Sequence, residues 1–145
     1  MGGTLTREQS FDNLCALIRR VDASGYGPFA VTLAGSDEAI GWAGIQQLPG
    51  ESRLEILFAL VPTYWRLGYA TEASTRLLGI AFDNLGLREV FATVHPENQA
   101  SIRVLTRLGF TPLGPYVHKL RQVEGVLYRV DGAEFASASA ARTGP

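Results

Sequence analysis

The chain has 145 residues, of which 46% are hydrophobic and 19% charged, the balance of one ordinary globular domain. Its formal net charge of −1 gives no reason to expect nucleic-acid binding, and no apolar run is long enough to span a membrane. The single cysteine excludes an internal disulfide and a thiolate metal cluster, so no metal site is expected and a reducing cytoplasm is the expected location.

The first part of the chain predicts a helix followed by an antiparallel meander of three strands. Thr6 and Gln9 form the pattern of a capping box, and Gly25 is placed to end the helix. The strands are expected at residues 29–33, 40–45 and 53–61, with turns at residues 35–38 and 49–50 between them.

The stretch that follows the third strand carries the most information. Pro62 cannot donate to a sheet ladder and so ends the strand, and apolar residues after Ala70 recur at the 3.6-residue period of a helix. The N–H groups at the start of that helix have no partner within it and attract anions. Gly68 and Ala70 leave room for a phosphate, and Arg66 adds a positive charge. A plain turn from strand to helix is the alternative.

The second half predicts a further strand at residues 90–94, parallel to the third strand because a helix connects them. Asn98 is a natural N-cap for a short helix that ends at Gly109. Strands are expected at residues 111–118 and 125–130. Residues 136–145 are small and polar and are expected to be a disordered tail, which leaves one domain over residues 1–135.

Two motifs at this spacing resemble those of the GNAT acetyltransferase superfamily. Residues 58–73 resemble the loop that binds the pyrophosphate of coenzyme A, and Asn98-x-x-Ser101 followed by Leu105-x-x-Leu108-Gly109-Phe110 resembles the second motif. The sequence around Tyr64 and Thr71-Glu72-Ala73 is most similar to the RimJ/RimL branch of ribosomal-protein N-terminal acetyltransferases. The resemblance implies an α/β (α+β) fold, with flanking helices on a mixed, mostly antiparallel sheet that contains one splayed parallel pair.

The chain also departs from the family pattern. Trp65 occupies the first position of the pyrophosphate loop, where the family has arginine or glutamine. The first strand and helix of the family have no counterpart, so the chain is expected to begin at the family's second helix. The strand at residues 29–33 would then be an exposed edge, which a partner subunit in a homodimer would cover.

The resemblance implies transfer of an acetyl group from acetyl-CoA to an amine, either a small molecule or a protein N-terminus. The diphosphate is expected on backbone N–H groups of the loop, and the pantetheine arm is expected to pair with the end of the preceding strand. The residues expected to bind the cofactor are Leu60, Val61, Arg66, Leu67, Gly68, Tyr69, Ala70, Thr71 and Asn98. For Asn98 an N-cap role is the equal alternative.

Two residues are the candidates for catalysis. Glu55 interrupts an apolar strand where the branch carries an acid, and it is the expected base, acting directly or through a water. Its alternative is an exposed carboxylate. Ser101 is expected to protonate the leaving thiolate, with helix capping as the alternative. His95 and His118 are expected to be structural or surface residues. A CoA-binding domain with little activity and an interaction module that keeps only the fold are the competing functions.

Overall fold

The computed structural model describes residues 6–119 and 122–144 of the chain. These residues form four α-helices and six strands, and α2 continues as a π-helical turn at Ile80–Asn84. In chain order the elements are α1 (Arg7–Ser24), β1 (Pro28–Thr32), β2 (Ala39–Gln47), β3 (Leu54–Leu60), α2 (Tyr69–Gly79), β4 (Glu89–Val94), α3 (Gln99–Arg107), β5 (Thr111–His118), β6 (Val123–Asp131) and α4 (Gly132–Thr143).

Helix α1 begins and ends as its sequence predicts. The Gln9 N–H donates to Thr6 Oγ1 at 3.1 Å, and the Thr6 N–H donates to Gln9 Oε1 at 2.9 Å, so the capping box is confirmed. The helix stops at Gly25, whose φ of 75° lies in the left-handed region that glycine adopts without strain.

The six strands form one sheet in the order β1-β2-β3-β4-β6-β5. All neighbours are antiparallel except β3 and β4, which are connected through α2 and run parallel. The predicted fold class is therefore confirmed. Strand β1 pairs only with β2 in the described sheet and lies at its edge, where Phe29 is 44% exposed.

The larger core lies on one face of the sheet. Strand residues such as Ile56, Val90 and Val130 pack there against Leu78 of α2 and Leu105 of α3. Side chains of successive strand residues point to opposite faces, so Glu55, Phe91 and Leu127 project from the other face. A smaller apolar cluster lies there, formed by Leu48, Phe91, Leu127 and Tyr116. Glu55 therefore projects from the sheet face that carries the smaller apolar cluster.

The expectation that residues 136–145 are disordered is wrong for the described part of that segment, because residues 136–143 lie in α4. Asp131 and Glu134 form a capping box at its start, with two hydrogen bonds of 2.8 Å. The Phe135 ring packs on the Phe82 ring of α2's continuation with 5.6 Å between centroids. The alanines that suggested a loose tail are strong helix formers once the helix is capped and docked.

Helix α3 ends in the predicted Schellman motif. The Phe110 N–H donates to the Leu105 carbonyl at 3.0 Å and the Gly109 N–H donates to the Thr106 carbonyl at 3.1 Å. Gly109 has a φ of 92°, and a Cβ there would come within 2.9 Å of the Glu134 carbonyl of α4. None of the described helices is both long enough and apolar enough to cross a membrane.

Candidate active site

The parallel pair β3 and β4 opens like a fork. Its ladder contains one residue pair, Glu55 with Phe91, whereas β3 pairs with β2 along its whole length from Gly41↔Leu60 to Gln47↔Leu54. Beyond Glu55 the two strands therefore do not share a ladder, and their carboxyl ends leave a gap between Leu60 and Val94. Ligands of α/β proteins bind at such strand ends.

Glu55 lies at the closed end of this fork and is fully buried, with 0% of its surface exposed. Its Oε1 accepts a hydrogen bond from Gln46 Nε2 at 2.9 Å, and its Oε2 accepts one from Thr93 Oγ1 at 2.9 Å. The alternative in which Glu55 is an exposed carboxylate is therefore wrong. A buried carboxylate is retained only where hydrogen bonds compensate for its lost hydration, as they do here.

His118 also lies against Glu55. It is 5% exposed, and its Nε2 lies 3.5 Å from Glu55 Oε1. The sequence predicted a structural or surface histidine but not this contact, because His118 lies on β5 and Glu55 on β3. Gln46 and Thr93 were missed for the same reason. Among the described residues no group of three or more His, Cys, Asp or Glu side chains is placed to hold a metal ion.

The turn between β2 and β3 meets the end of the β5–β6 hairpin beside this site. The Tyr116 hydroxyl donates to Glu51 Oε1 at 3.0 Å, and Arg53 forms an ion pair with Glu51. Lys119 Nζ lies 4.0 Å from Glu51 Oε1, and the Arg53 guanidinium lies 4.9 Å from the centre of the Phe91 ring. We refer to these contacts of Glu51, Arg53, Tyr116 and Lys119 as the hairpin latch.

The latch shifts the protonation equilibria of two of its members. Burial raises the pKa of Glu51, but hydrogen bonds from Arg53 and Tyr116 and the charges of Arg53 and Lys119 outweigh it, so the pKa lies below the ordinary 4.5. Burial, and then the hydrogen bond to Glu51, raise the pKa of Tyr116 above the ordinary 10.0. Both shifts favour the pairing of a carboxylate with a neutral phenol.

The loop after β3 presents backbone N–H groups, as its sequence predicts. The first hydrogen bond of α2 runs from the Glu72 N–H to the Gly68 carbonyl at 2.9 Å, so the N–H groups of Tyr69, Ala70 and Thr71 have no acceptor within the helix. Gly68 has a φ of 87° and nothing within 4 Å of a Cβ position. Leu67 is 62% exposed, which leaves this helix terminus open to solvent.

The carbonyl end of β3 is partly engaged. Trp65 Nε1 donates to the Leu60 carbonyl at 2.7 Å, and the Val61 N–H donates to the Ile40 carbonyl at 2.9 Å. Arg66, beside them, has a φ of 63°, although it is not glycine. The Trp65 indole therefore binds a carbonyl with which the pantetheine arm of CoA is expected to pair.

Asn98 and Ser101 lie at the start of α3, after the carboxyl end of β4. Asn98 Oδ1 accepts the Ser101 N–H at 3.1 Å, so Asn98 is the N-cap. Ser101 contributes only its backbone to this cap. Leu60, Val61, the loop at residues 66–71 and Asn98 therefore gather at one end of the parallel pair. Glu55 lies five residues before Leu60, about 16 Å along the strand.

An apolar cavity of about 240 Å³ lies beside Glu55 on β1, β2 and β3. Its lining includes Trp42 and Leu57, and Gln46, the hydrogen-bond donor to Glu55, also lines it. Trp42, which is 42% exposed, flanks this cavity. The cavity is thus separated from the carboxylate by one amide side chain.

A mixed sheet that opens at one parallel pair beside a helix N-terminus is the arrangement that the resemblance to the GNAT superfamily implies. Residues 1–111 match the family described as the acetyltransferase (GNAT) domain, so the chain belongs to that family.

Similar proteins agree with this assignment. The uncharacterized N-acetyltransferase p20 of Bacillus licheniformis is 36% identical over 87 residues, which are 59% of this chain and 49% of that protein. The chain spans about half the length of the curated relatives it matches. An acetyltransferase from Agrobacterium tumefaciens superposes with a TM-score of 0.72 at 26% identity, covering 89% of this chain and 74% of that one. RimJ of Mycobacterium smegmatis, in complex with CoA-disulfide, superposes with a TM-score of 0.76 at 25% identity, covering 92% of this chain and 68% of that one.

Proposed function

We propose that this chain transfers the acetyl group of acetyl-CoA to a primary amine, a protein N-terminus or a small amine, as a cytoplasmic enzyme of the RimJ/RimL branch. The observation that carries the proposal is the position of Glu55: a buried carboxylate at the closed end of the one fork in the sheet. A carboxylate at that position is suited to accept a proton from an amine that enters the gap.

The residues at the open end of the fork fit the cofactor. The N–H groups of Tyr69, Ala70 and Thr71 and the positive end of α2 suit a diphosphate, and Arg66 adds a positive charge. Leu60 and Val61 offer backbone groups for an amide-bearing arm. Asn98 uses Oδ1 for the cap, so its Nδ2 is the part of the side chain that would donate to that arm. The mycobacterial RimJ, which has the same fold, is in complex with CoA-disulfide, which supports a CoA thioester as the co-substrate of this chain.

The side chains of the chain handle the protons. Acetyl-CoA supplies a thioester whose acyl carbon forms a bond to the amine nitrogen as its bond to sulfur breaks. Glu55 receives the amine proton, and its burial requires a water to carry that proton. Ser101, at the first turn of α3, passes its hydroxyl proton to the departing thiolate and takes up a proton from a water in exchange.

One observation favours a second candidate, a CoA-binding domain with little turnover. Glu55 has no exposed surface, and Gln46 separates it from the cavity. If Gln46 stays in place and the gap between β3 and β4 does not admit an amine, the carboxylate receives no proton, whereas the open loop at residues 66–71 still binds the cofactor.

The substitution Glu55→Gln tests the proposal. We expect turnover of acetyl-CoA with an amine panel to fall about 100-fold or more, because the proton acceptor is lost. Calorimetry should find CoA affinity unchanged, since Glu55 lies about 16 Å along β3 from Leu60, the strand residue proposed to contact the cofactor. Glu124→Gln, at an exposed carboxylate on β6, is the matched control and should keep full turnover. A wild-type protein that binds CoA without turnover would favour the second candidate, and unchanged turnover in Glu55→Gln would remove Glu55 from the mechanism.

A further inference from the structure

Four polar side chains from four different strands meet at the closed end of the fork. Gln46 of β2 and Thr93 of β4 each donate to Glu55 of β3 at 2.9 Å, and His118 of β5 lies 3.5 Å from the same carboxylate. We call Gln46, Glu55, Thr93 and His118 the fork cluster. All four project from the sheet face opposite the larger core.

The side chains of the fork cluster connect β3 and β4 where the backbone hydrogen bonding between these strands ends. The β3–β4 ladder has a single residue pair, at Glu55 and Phe91, so it does not fix the separation of these strands further along. Thr93 lies two residues beyond Phe91 on β4, and its hydrogen bond from Oγ1 to Glu55 Oε2 crosses the gap there. A splayed pair of strands is therefore held at its junction by side chains.

The same contacts fix the orientation of the carboxylate. Thr93 binds Oε2, while Gln46 and His118 lie against Oε1, so rotation of the carboxyl group would break a contact on each side. His118 comes from the end of β5, directly before the turn that carries Lys119 of the hairpin latch. The position of the β5–β6 hairpin therefore affects the orientation of the Glu55 carboxylate through His118.

We propose that Thr93 and His118 are positioning residues that hold the Glu55 carboxylate towards the gap between β3 and β4. This inference rests on the proposed function, in which Glu55 is the base. A general base works only when it is held at the proton it accepts, and small displacements of a catalytic group cost large factors in rate. Neither Thr93 nor His118 needs to touch the acceptor.

Thr93→Val is the main test, because valine keeps the shape and the strand preference of threonine and removes only the hydroxyl. We expect kcat to fall about tenfold or more, while KM for the amine and CoA affinity stay within about twofold. Thr93→Ser keeps the hydroxyl and is the matched control, which should retain most of the wild-type kcat.

His118 is tested by a second pair of variants. His118→Phe keeps a planar ring without a polar atom and should lower kcat by about the same factor, whereas His118→Gln offers an amide donor and should recover part of the loss. Glu124→Gln, at the exposed carboxylate of β6 used as a control above, should have no effect.

Hydrogen exchange of the protein without CoA gives a readout independent of turnover. In Thr93→Val, amides of β3 and β4 at the fork should exchange faster than in Thr93→Ser, while amides of α2 should be unchanged. If the wild-type protein turns over and kcat is unchanged in both Thr93→Val and His118→Phe, the positioning role is overturned. A wild-type protein without turnover would instead contradict the acetyltransferase proposal. Hydrogen exchange at the fork would then test the role of Thr93 and His118 by itself: faster exchange in Thr93→Val would support it, and unchanged exchange would overturn it.

Discussion

Arg66 is the residue at which the loop proposed to bind pyrophosphate departs most clearly from ordinary backbone geometry. Its φ of 63° is left-handed, which costs a residue with a Cβ about 1 kcal/mol or more. Glycine would adopt this φ without strain but would lack the positive charge that the proposed anion site uses.

Arg66→Gly should separate these two effects. We expect the free energy of unfolding to stay the same or rise by up to about 1 kcal/mol, because relief of strain outweighs the flexibility of glycine. CoA affinity should fall about two- to fivefold through loss of one exposed charge. Urea unfolding and calorimetry measure the two quantities. Arg66→Asn tolerates the same φ and should also lose affinity; a tighter complex in either variant would contradict a role for the charge.

Asn98 and Ser101 can be distinguished at the same scale. Asn98→Ala removes the acceptor of the α3 cap and should cost about 1 kcal/mol of stability. Ser101→Ala leaves the capping N–H in place and should leave the thermal midpoint unchanged, while turnover falls about tenfold or more if its hydroxyl is the acid. Thermal unfolding and acetyl-CoA turnover of both variants give the comparison. Full turnover in Ser101→Ala would exclude the hydroxyl from proton transfer.

At the scale of elements, the short turn between β3 and α2 carries Trp65, whose side chain lies at the end of β3 where the cofactor arm is proposed to bind. Its indole N–H occupies the Leu60 carbonyl at 2.7 Å, although the side chain is 55% exposed. An arm that pairs with Leu60 must share this carbonyl oxygen with the indole or displace it.

Trp65→Phe removes the donor and keeps an aromatic ring. We expect CoA affinity to rise by up to about tenfold, because the indole no longer competes for the Leu60 carbonyl. Calorimetry with CoA measures the change. Adenosine 3′,5′-bisphosphate, which lacks the arm, should bind both proteins equally. A weaker CoA complex in the variant would show instead that Trp65 supports the loop.

The hairpin latch makes stability depend on pH in a direction set by its two shifted groups. The lowered pKa of Glu51 contributes stability above its unfolded value of 4.5, and this is lost as pH falls through the folded pKa. The raised pKa of Tyr116 contributes stability that is complete below 10.0 and is lost as pH rises through the folded pKa.

Tyr116→Phe should therefore cost about 1 kcal/mol at neutral pH, the net value of its hydrogen bond to Glu51. The difference in unfolding free energy between wild type and Tyr116→Phe should be constant between about pH 5 and pH 9 and shrink on both sides of that window. Urea unfolding over a pH series measures it. Tyr128→Phe, at a buried tyrosine of the opposite sheet face, is the control. A difference that grows above pH 10 would contradict the predicted sign.

At the scale of the whole molecule, the sequence predicted what depends on near neighbours. Capping residues located the starts of α1 and α3, and hydrophobic periodicity together with turn residues located the strands. Glu55 was singled out because a charge interrupts an apolar strand where the branch carries an acid, and the structure shows it buried. Its partners Gln46, Thr93 and His118 have no local signal, since each lies on a different strand. Helix α4 was missed although Asp131 and Glu134 give the local pattern of a capping box, because the small polar residues after them are typical of a tail.

The one-pair ladder between β3 and β4 has a consequence for how the chain folds. On one side of it, β1-β2-β3 is an antiparallel meander of consecutive strands, and on the other side β5 and β6 form a hairpin. Contacts between residues near in sequence form fastest, so these two local units can assemble first. Strand β4 joins them late, because its pairs with β3 and with β6 both connect residues far apart in the chain. We expect a molecule bound between β3 and β4 to strengthen a junction that the backbone closes with a single residue pair.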